Sequence, residues 1–170
     1  MIQYFDMTKA KGCCGMIPEN GETIVFTGVS VNSMPVSIKE EEGEAYCEFA
    51  SKYGITYIFD DDIPTVDFYT VPRIDIAAFD SLGGYIASVE EPLTFSHPVR
   101  LVYISNDRKC YLITNDSTEF MSIVHNWRAR LTPYSGVKVY ESKDAAKNDY
   151  KIIDFEKTAG YLDLMKLIGE

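Results

Sequence analysis

The chain has 170 residues, of which 46% are hydrophobic and 13% aromatic, a composition typical of a globular protein and not of a disordered one. Its formal net charge of −10 argues against a nucleic-acid-binding protein, because such a protein needs a basic surface to neutralise phosphates. No apolar run approaches the roughly 20 residues that cross a bilayer, and the first residues lack the pattern of a secretory signal. We therefore expect one domain spanning residues 1–170, located in the cytoplasm.

The four cysteines indicate neither a metal centre nor a disulfide framework. Cys13 and Cys14 are adjacent, Cys47 and Cys110 stand alone, and no Cys-x-x-Cys pair or zinc-ligand spacing is present. We expect reduced thiols, no bound metal and no cofactor.

The first clear elements are a strand and a helix. Residues 23–31 are β-branched and bounded by turn residues, which predicts one strand, whereas residues 1–22 show no clear pattern. A helix is predicted up to Gly54, with Ser37 and Glu40 as its capping pair. An apolar stripe recurs along that helix at helical spacing: Tyr46, Phe49, Ala50 and Tyr53.

The central third of the chain is predicted to form strands. Short β-branched or aromatic runs cover residues 55–59, 65–71, 74–79, 85–89, 99–105 and 110–114. The intervals between them are too short for helical crossovers, so the sheet is expected to be mainly antiparallel. The last two runs are separated by the polar residues 106–109, which predicts a hairpin.

A second helix is predicted after Asn115, with Asp116 and Glu119 as its capping pair and an apolar face running to Leu131. The tail predicts strands at 137–142 and 150–155, a short helix after Ser142, and a last amphipathic segment at 159–169. The predicted fold class is α+β, with a mainly antiparallel sheet of about six strands and helices packed against it.

Gly83 and Gly84 stand between two apolar runs. The spacing matches neither a Walker loop nor a Rossmann turn, no lysine follows, and the next run predicts a strand. The pair therefore indicates a hairpin turn and not a phosphate site.

Two enzymatic alternatives remain open. Asp60 and Asp62 follow an apolar run with the Asp-x-Asp spacing that can hold magnesium, although Pro64 and the lack of a βα pattern favour an acidic turn. A hydrolase could instead use His125, which falls on the polar face of its helix, with Cys110 as the nucleophile.

Other pairings are equally open at this point. A Ser–His–Asp set through Ser96 or Ser117 lacks a nucleophile-elbow motif. A small-ligand pocket is a third possibility, and it would be lined by aromatic side chains: Tyr57, Phe59, Tyr69 and Trp127.

The order of motifs over about residues 40–130 resembles the SUKH superfamily. The resemblance rests on the helix pattern Tyr46, Phe49, Tyr53 and Gly54, the apolar strand "ITYIF", the glycine-containing hairpin and the paired strands. A further helix entered by Ser117 and Phe120 completes the match. Residues 1–36 and 135–170 have no counterpart in that pattern.

The resemblance implies a binding module and not an enzyme. Many bacterial members are cytosolic immunity proteins that neutralise toxin domains, often nucleases, and fungal relatives act in cell-wall regulation through protein contacts. Residues 40–62 contain eight acids and one lysine, which would attract a basic protein partner. The candidate partner-binding residues are therefore acidic: Glu40, Glu41, Glu42, Glu44, Asp60, Asp61 and Asp62. An ordinary solvated helix face and turn would account for the same residues.

Overall fold

The computed structural model describes residues 1–9, 21–91, 93 and 97–168. Within these ranges the strands are β1 (Ile2–Asp6), β2 (Thr23–Thr27), β3 (Val29–Val31), β4 (Ile55–Tyr57), β5 (Tyr69–Val71), β6 (Ile74–Asp80), β7 (Tyr85–Val89), β8 (Leu101–Ile104), β9 (Cys110–Thr114), β10 (Thr132–Pro133), β11 (Lys138–Tyr140) and β12 (Ile152–Asp154). The α-helices are α1 (Val36–Tyr53), α2 (Phe120–Ile123), α3 (Lys143–Ala146) and α4 (Ala159–Ile168), with 3-10 turns at Ser117–Glu119, Val124–Arg130 and Phe155–Lys157. The predicted α+β class is confirmed.

The largest sheet among the described residues has seven strands. Its order is β10-β9-β8-β7-β6-β3, and β4 also pairs with β6, beside the half of β6 that β3 leaves free. All of its pairs are antiparallel except β3 with β6. The prediction of a mainly antiparallel sheet is confirmed. Five of the six expected strands lie in it, β5 lies elsewhere, and β3 and β10 complete the seven.

Both faces of this sheet are covered by apolar side chains. On one face the sheet packs against α2, the segment that follows it and the half-buried aromatic residues of α1. The buried centre of this layer includes Ile86, Leu101, Tyr103, Ile113, Phe120, Ile123 and Trp127. On the other face, the buried residues include Ile58, Phe68, Ile74, Ile76, Val102, Ile104 and Val137.

A second, three-stranded sheet has the order β12-β1-β2, and both of its pairs are parallel. The sequence did not indicate it, because β1 lies in residues 1–22, where no pattern is clear. On one face of this sheet Phe5 and Phe155 pack with Tyr161 of α4, whose ring lies 5.4 Å from that of Phe155. A two-stranded ladder of β11 and β5 lies beside this unit.

The prediction of one strand over residues 23–31 is wrong. Gly28 has a φ of 106° and divides the run into β2, in the parallel sheet, and β3, in the large sheet. A Cβ at this position would overlap the hydroxyl of Thr8. The break is therefore fixed by a close approach to a distant part of the chain, which local β propensity does not reveal.

The predicted cap of α1 is also wrong. The helix begins at Val36 with Pro35 at its N-cap, so Ser37 lies inside the first turn, and no side chain caps the N-terminus. Proline suits this position because its fixed φ matches the helix entry and it has no N–H to satisfy. At the other end, Gly54 adopts the left-handed conformation, as predicted.

Five strands are shorter than predicted, and among them the runs 99–105, 137–142 and 150–155 give only Leu101–Ile104, Lys138–Tyr140 and Ile152–Asp154. Residues 55–59 give β4 only as far as Tyr57, and residues 65–71 give β5 only from Tyr69. Residue 59 instead forms a single parallel bridge with Met34. The remaining residues of the runs 55–59 and 65–71 have the composition of a strand. They form no ladder because no continuous partner strand among the described residues lies beside them.

The helical segment after Asn115 begins as expected but is less regular than the continuous helix predicted for it. The carboxylate of Asp116 accepts a hydrogen bond from the Thr118 backbone N–H at 2.9 Å, which is the predicted capping interaction. Only residues 120–123 are α-helical, and a non-helical backbone at Asn126 interrupts the 3-10 segment that follows.

Ser142 caps α3 through the N–H of Ala145, so the predicted short helix is confirmed.

Candidate functional site

Helix α1 lies on the surface and carries most of the acidic residues of interest. None of its 18 residues is buried. Its apolar stripe is half-buried, with the ring of Tyr46 5.4 Å from Phe59 and 5.6 Å from Tyr57, and the ring of Phe49 5.6 Å from Tyr57. These edge and tilted ring contacts hold α1 on the chain that follows it.

The glutamates of α1 project mainly away from this aromatic stripe. At about 100° per residue, Glu40, Glu41 and Glu44 fall on the opposite side of the helix, whereas Glu42 falls nearer to the stripe. All four are exposed. Within the part of the chain that the structure describes, none of the four forms an ion pair.

The three aspartates lie in a turn beside the amino end of α1. The backbone N–H of Asp60 donates to the carbonyl of Met34 at 3.0 Å, and its carboxylate accepts from the Ser33 hydroxyl at 2.5 Å. The N–H of Asp62 donates to the carbonyl of Phe59 at 2.9 Å, closing the turn. The turn is thus anchored to the residues that precede α1, and it lies on the side of the helix that carries Lys39.

One lysine partly offsets this concentration of negative charge. Lys39, in the first turns of α1, donates to Asp61 at 2.8 Å, and its ammonium lies 5.6 Å from the centre of the Phe59 ring. The hydrogen bond from Lys39 lowers the pKa of Asp61, and the same bond raises the pKa of Lys39. Both groups therefore stay charged at neutral pH.

We call these seven residues the acidic face: Glu40, Glu41, Glu42, Glu44, Asp60, Asp61 and Asp62. Six of their charges remain uncompensated once Asp61 is paired with Lys39. Such a surface creates a negative potential that attracts cationic groups and that salt screens. The position of its aspartate turn is fixed by the Lys39–Asp61 and Ser33–Asp60 contacts, which sequence spacing does not reveal.

Glu48 extends the acidic face and is absent from the sequence-based candidates. It is exposed one turn beyond Glu44, on the same side of α1. Lys52, a possible helical partner of Glu48, instead lies over the ring of Tyr53, at 5.1 Å. The signal that would have found it is the i, i+4 spacing from Glu40 and Glu44.

Asp60 and Asp62 were considered as metal ligands because of their Asp-x-Asp spacing. Both are exposed, and one oxygen of Asp60 is occupied by Ser33. Over residues 1–9, 21–91, 93 and 97–168, no group of three or more His, Cys, Asp or Glu side chains is placed to hold a metal ion.

The nucleophile candidates differ in their surroundings. Burial raises the pKa of Cys110 to about 12, which keeps its thiol protonated and weakly nucleophilic at neutral pH. His125 is exposed on the 3-10 segment. The hydroxyl of Ser117 accepts from the Val99 N–H at 3.1 Å and thereby fixes the start of the helical segment. Ser96, Cys13 and Cys14 lie outside the described residues.

The four aromatic residues considered for a ligand pocket do not line one cavity. Tyr57 and Phe59 pack against α1, and Trp127 lies 5.4 Å from Tyr103 within the core. Tyr69 belongs to a separate cluster with Val71 and Ala146, residues that pack beside the parallel sheet. Tyr57 and Trp127 belong to one apolar cluster and Tyr69 to another, and packing accounts for their aromatic character.

No family model, curated protein or solved structure matches this chain. The resemblance to the SUKH superfamily therefore stays a prediction. None of the helices in the described residues is both long and apolar enough to span a membrane.

Proposed function

We propose that this chain is a non-enzymatic, cytoplasmic protein-binding module of the immunity type, which binds and neutralises a toxin domain through its acidic face. The observation that carries the proposal is the set of exposed carboxylates without ion-pair partners among the described residues, which lie along α1 and in the Asp60–Asp62 turn beside its amino end. The resemblance to SUKH domains supplies the class of partner.

The charge of the acidic face determines the chemistry of the partner. A nuclease domain binds its substrate in a basic groove, because that groove must neutralise phosphates. Carboxylates presented on a single helix and an adjacent turn can occupy such a groove in place of phosphates, with charge-assisted hydrogen bonds to arginine and lysine. Association driven in this way is fast and weakens with salt.

The acidic face is held in place before any partner binds. Aromatic contacts fix α1 on residues 57 and 59, and backbone hydrogen bonds anchor the aspartate turn to Met34. A preorganised surface loses less conformational entropy on binding than a flexible one, which supports its use in recognition.

The direct test is co-expression with the product of the neighbouring gene, each protein carrying a different affinity tag. We expect the two proteins to purify together and the neighbour to be toxic when it is expressed alone. A neighbour that is a metabolic enzyme, or one that neither harms the cell nor binds this chain, would contradict the proposal.

The same assay locates the surface. The variant Glu40→Lys, Glu41→Lys, Glu44→Lys should lose co-purification and protection. A control that reverses three exposed acids elsewhere, Glu141→Lys, Asp144→Lys, Asp163→Lys, changes the net charge equally and should keep both. Equal loss in the two variants would show an effect of net charge alone and would exclude the acidic face as the site.

A further inference from the structure

The three strands of the parallel sheet end in register. Asp6 of β1 lies opposite Thr27 of β2 on one side and Asp154 of β12 on the other. Because the strands are parallel, these last residues meet at one edge of the sheet. Two carboxylates from opposite ends of the chain are thereby brought together, and like charges so placed repel unless a cation lies between them.

Lys143, the first residue of α3, supplies that cation. Its ammonium group donates to Asp6 and to Asp154. The Asp6 side chain is only 3% exposed and that of Lys143 26% exposed, so the interaction is poorly accessible to water. A buried carboxylate without its cation would carry a large desolvation cost.

The remaining carboxylate oxygens also have donors. Asp6 accepts from the Thr8 N–H at 3.0 Å and from the Thr8 hydroxyl at 2.6 Å. Asp154 accepts from Lys157 at 2.6 Å. The cluster is therefore a closed network in which Lys143 is the only group that contacts both carboxylates among the described residues.

Apolar contacts also join the two ends of the chain, since Phe5 of β1 packs against the buried Phe155 with ring centres 6.2 Å apart. Lys143 and Asp6 are separated by 137 positions. The pairing of β12 with β1 covers three residues, and the rings of Tyr4 and Tyr150 lie 4.7 Å apart beside it. The ion cluster therefore adds charge pairing to an attachment that a short strand ladder and apolar packing also provide.

We propose that Lys143 closes a latch that holds the C-terminal segment, residues 138–157, on β1: without its ammonium, the facing carboxylates of Asp6 and Asp154 are left uncompensated and release the two segments together. The latch is a device of conformation and not of catalysis. Burial lowers the pKa of Lys143, but its hydrogen bonds to Asp154 and Asp6 raise that pKa by more. The amine therefore stays protonated and is not a nucleophile at neutral pH.

The test is amide hydrogen exchange on the full chain, followed peptide by peptide, for Lys143→Met and for the control Lys147→Met. Lys147 lies one turn away on the surface and pairs only with Asp144 among the described residues. We expect exchange in residues 2–6 and 150–156 to accelerate together by at least about tenfold in Lys143→Met, with residues 74–104 unchanged. Acceleration confined to residues 142–148, or spread evenly over the chain, would overturn the latch.

A second variant keeps the test decisive if Lys143→Met folds poorly. Adding Asp6→Asn removes the buried charge that the first change leaves unpaired, so the double variant should recover most of the protection at residues 2–6. Exchange in the double variant as fast as in Lys143→Met, or poor folding of both, would show that charge pairing is not what holds the two ends together.

Discussion

Arg128 donates a hydrogen bond to the carboxylate of Asp80 at 2.5 Å, and the Asp80 side chain is fully buried. The same carboxylate accepts from the Gly84 N–H at 2.7 Å and from the Tyr103 hydroxyl at 3.0 Å. A single aspartate thus joins the β6–β7 turn, strand β8 and the segment after α2.

Replacing Arg128 by Met should lower the free energy of unfolding by about 2–4 kcal/mol, because it leaves the buried Asp80 carboxylate without its cation. Arg128 is itself 35% exposed, which keeps the expected loss below that of a fully buried pair. Urea unfolding followed by tryptophan fluorescence measures the change. Arg130→Met, on the exposed side of the same segment, should stay within about 0.5 kcal/mol of the parent. A loss below 1 kcal/mol for Arg128→Met would contradict this view of Asp80.

Gly84→Ala should destabilise the protein by about 1–3 kcal/mol through overpacking. The added Cβ would overlap the hydroxyl and ring of Tyr103, which is buried and bonded to Asp80 and so cannot move aside easily. The matched control is Gly160→Ala in α4, where nothing lies within 4 Å of the added atom. That change should be neutral or stabilise by up to about 1 kcal/mol, since alanine favours helix. Thermal unfolding of both variants tests this. Equal changes in their melting temperatures would refute the steric argument.

Ser88→Ala should be neutral or raise the unfolding free energy by up to about 1 kcal/mol. The Ser88 hydroxyl is fully buried and has no hydrogen-bond partner among the described residues, so its removal relieves a desolvation cost. Thr70→Val is the contrasting change, because the equally buried Thr70 hydroxyl donates to the Gly28 carbonyl at 2.7 Å. It should cost about 1 kcal/mol. Chemical denaturation of the pair tests this, and a clear loss for Ser88→Ala would show that its hydroxyl is used.

The carboxylates of the latch predict a loss of stability in acid. Hydrogen bonds from Lys143 and Lys157 lower the pKa of Asp154 from 3.8 to about 2. Burial raises the pKa of Asp6, but bonds from Lys143 and Thr8 lower it by more. A carboxyl group whose pKa is lower in the folded state than in the unfolded state stabilises the fold at pH values above its unfolded-state pKa. That stabilisation disappears as the pH falls through its folded-state pKa.

The resulting window lies between about pH 4 and pH 2. Melting temperatures of the parent and of Asp154→Asn should differ most above pH 4 and converge as pH approaches 2. The groups that face this aspartate are Lys143, Lys157 and Asp6, and neither lysine titrates in this range. A difference between the two proteins that is independent of pH would contradict the assignment.

Periodicity and turn chemistry were sufficient to locate the central strands β6, β7, β8 and β9 of the large sheet. The runs at 85–89 and 110–114 match β7 and β9 residue for residue. The turn between β6 and β7 follows from its glycines: Gly83 has a φ of 82°, and its N–H donates to the carbonyl of Asp80 at 3.1 Å. These features depend on local backbone preference, which a sequence displays directly.

The parallel sheet could not be predicted in the same way. Its strands come from residues 2–6, 23–27 and 152–154, and their pairing depends on contacts across nearly the whole chain. The break at Gly28 and the ion cluster at Lys143 arise from the same distant contacts. The acidic face was predictable only in part. Its residues are evident from composition, whereas the Lys39–Asp61 contact, which joins α1 to the aspartate turn, is a tertiary contact.

The central claim is that the acidic face binds a basic partner, and the rate of association measures it most directly. The co-purified partner is immobilised, and the association rates of the parent, the Glu40/Glu41/Glu44→Lys variant and the Glu141/Asp144/Asp163→Lys control are recorded at about 50 mM and about 300 mM salt. We expect association of the parent and the control to slow by at least about tenfold with salt, and the acidic-face variant to associate slowly at both concentrations. A parent rate that does not change with salt, or an acidic-face variant that associates as fast as the control, would contradict the account.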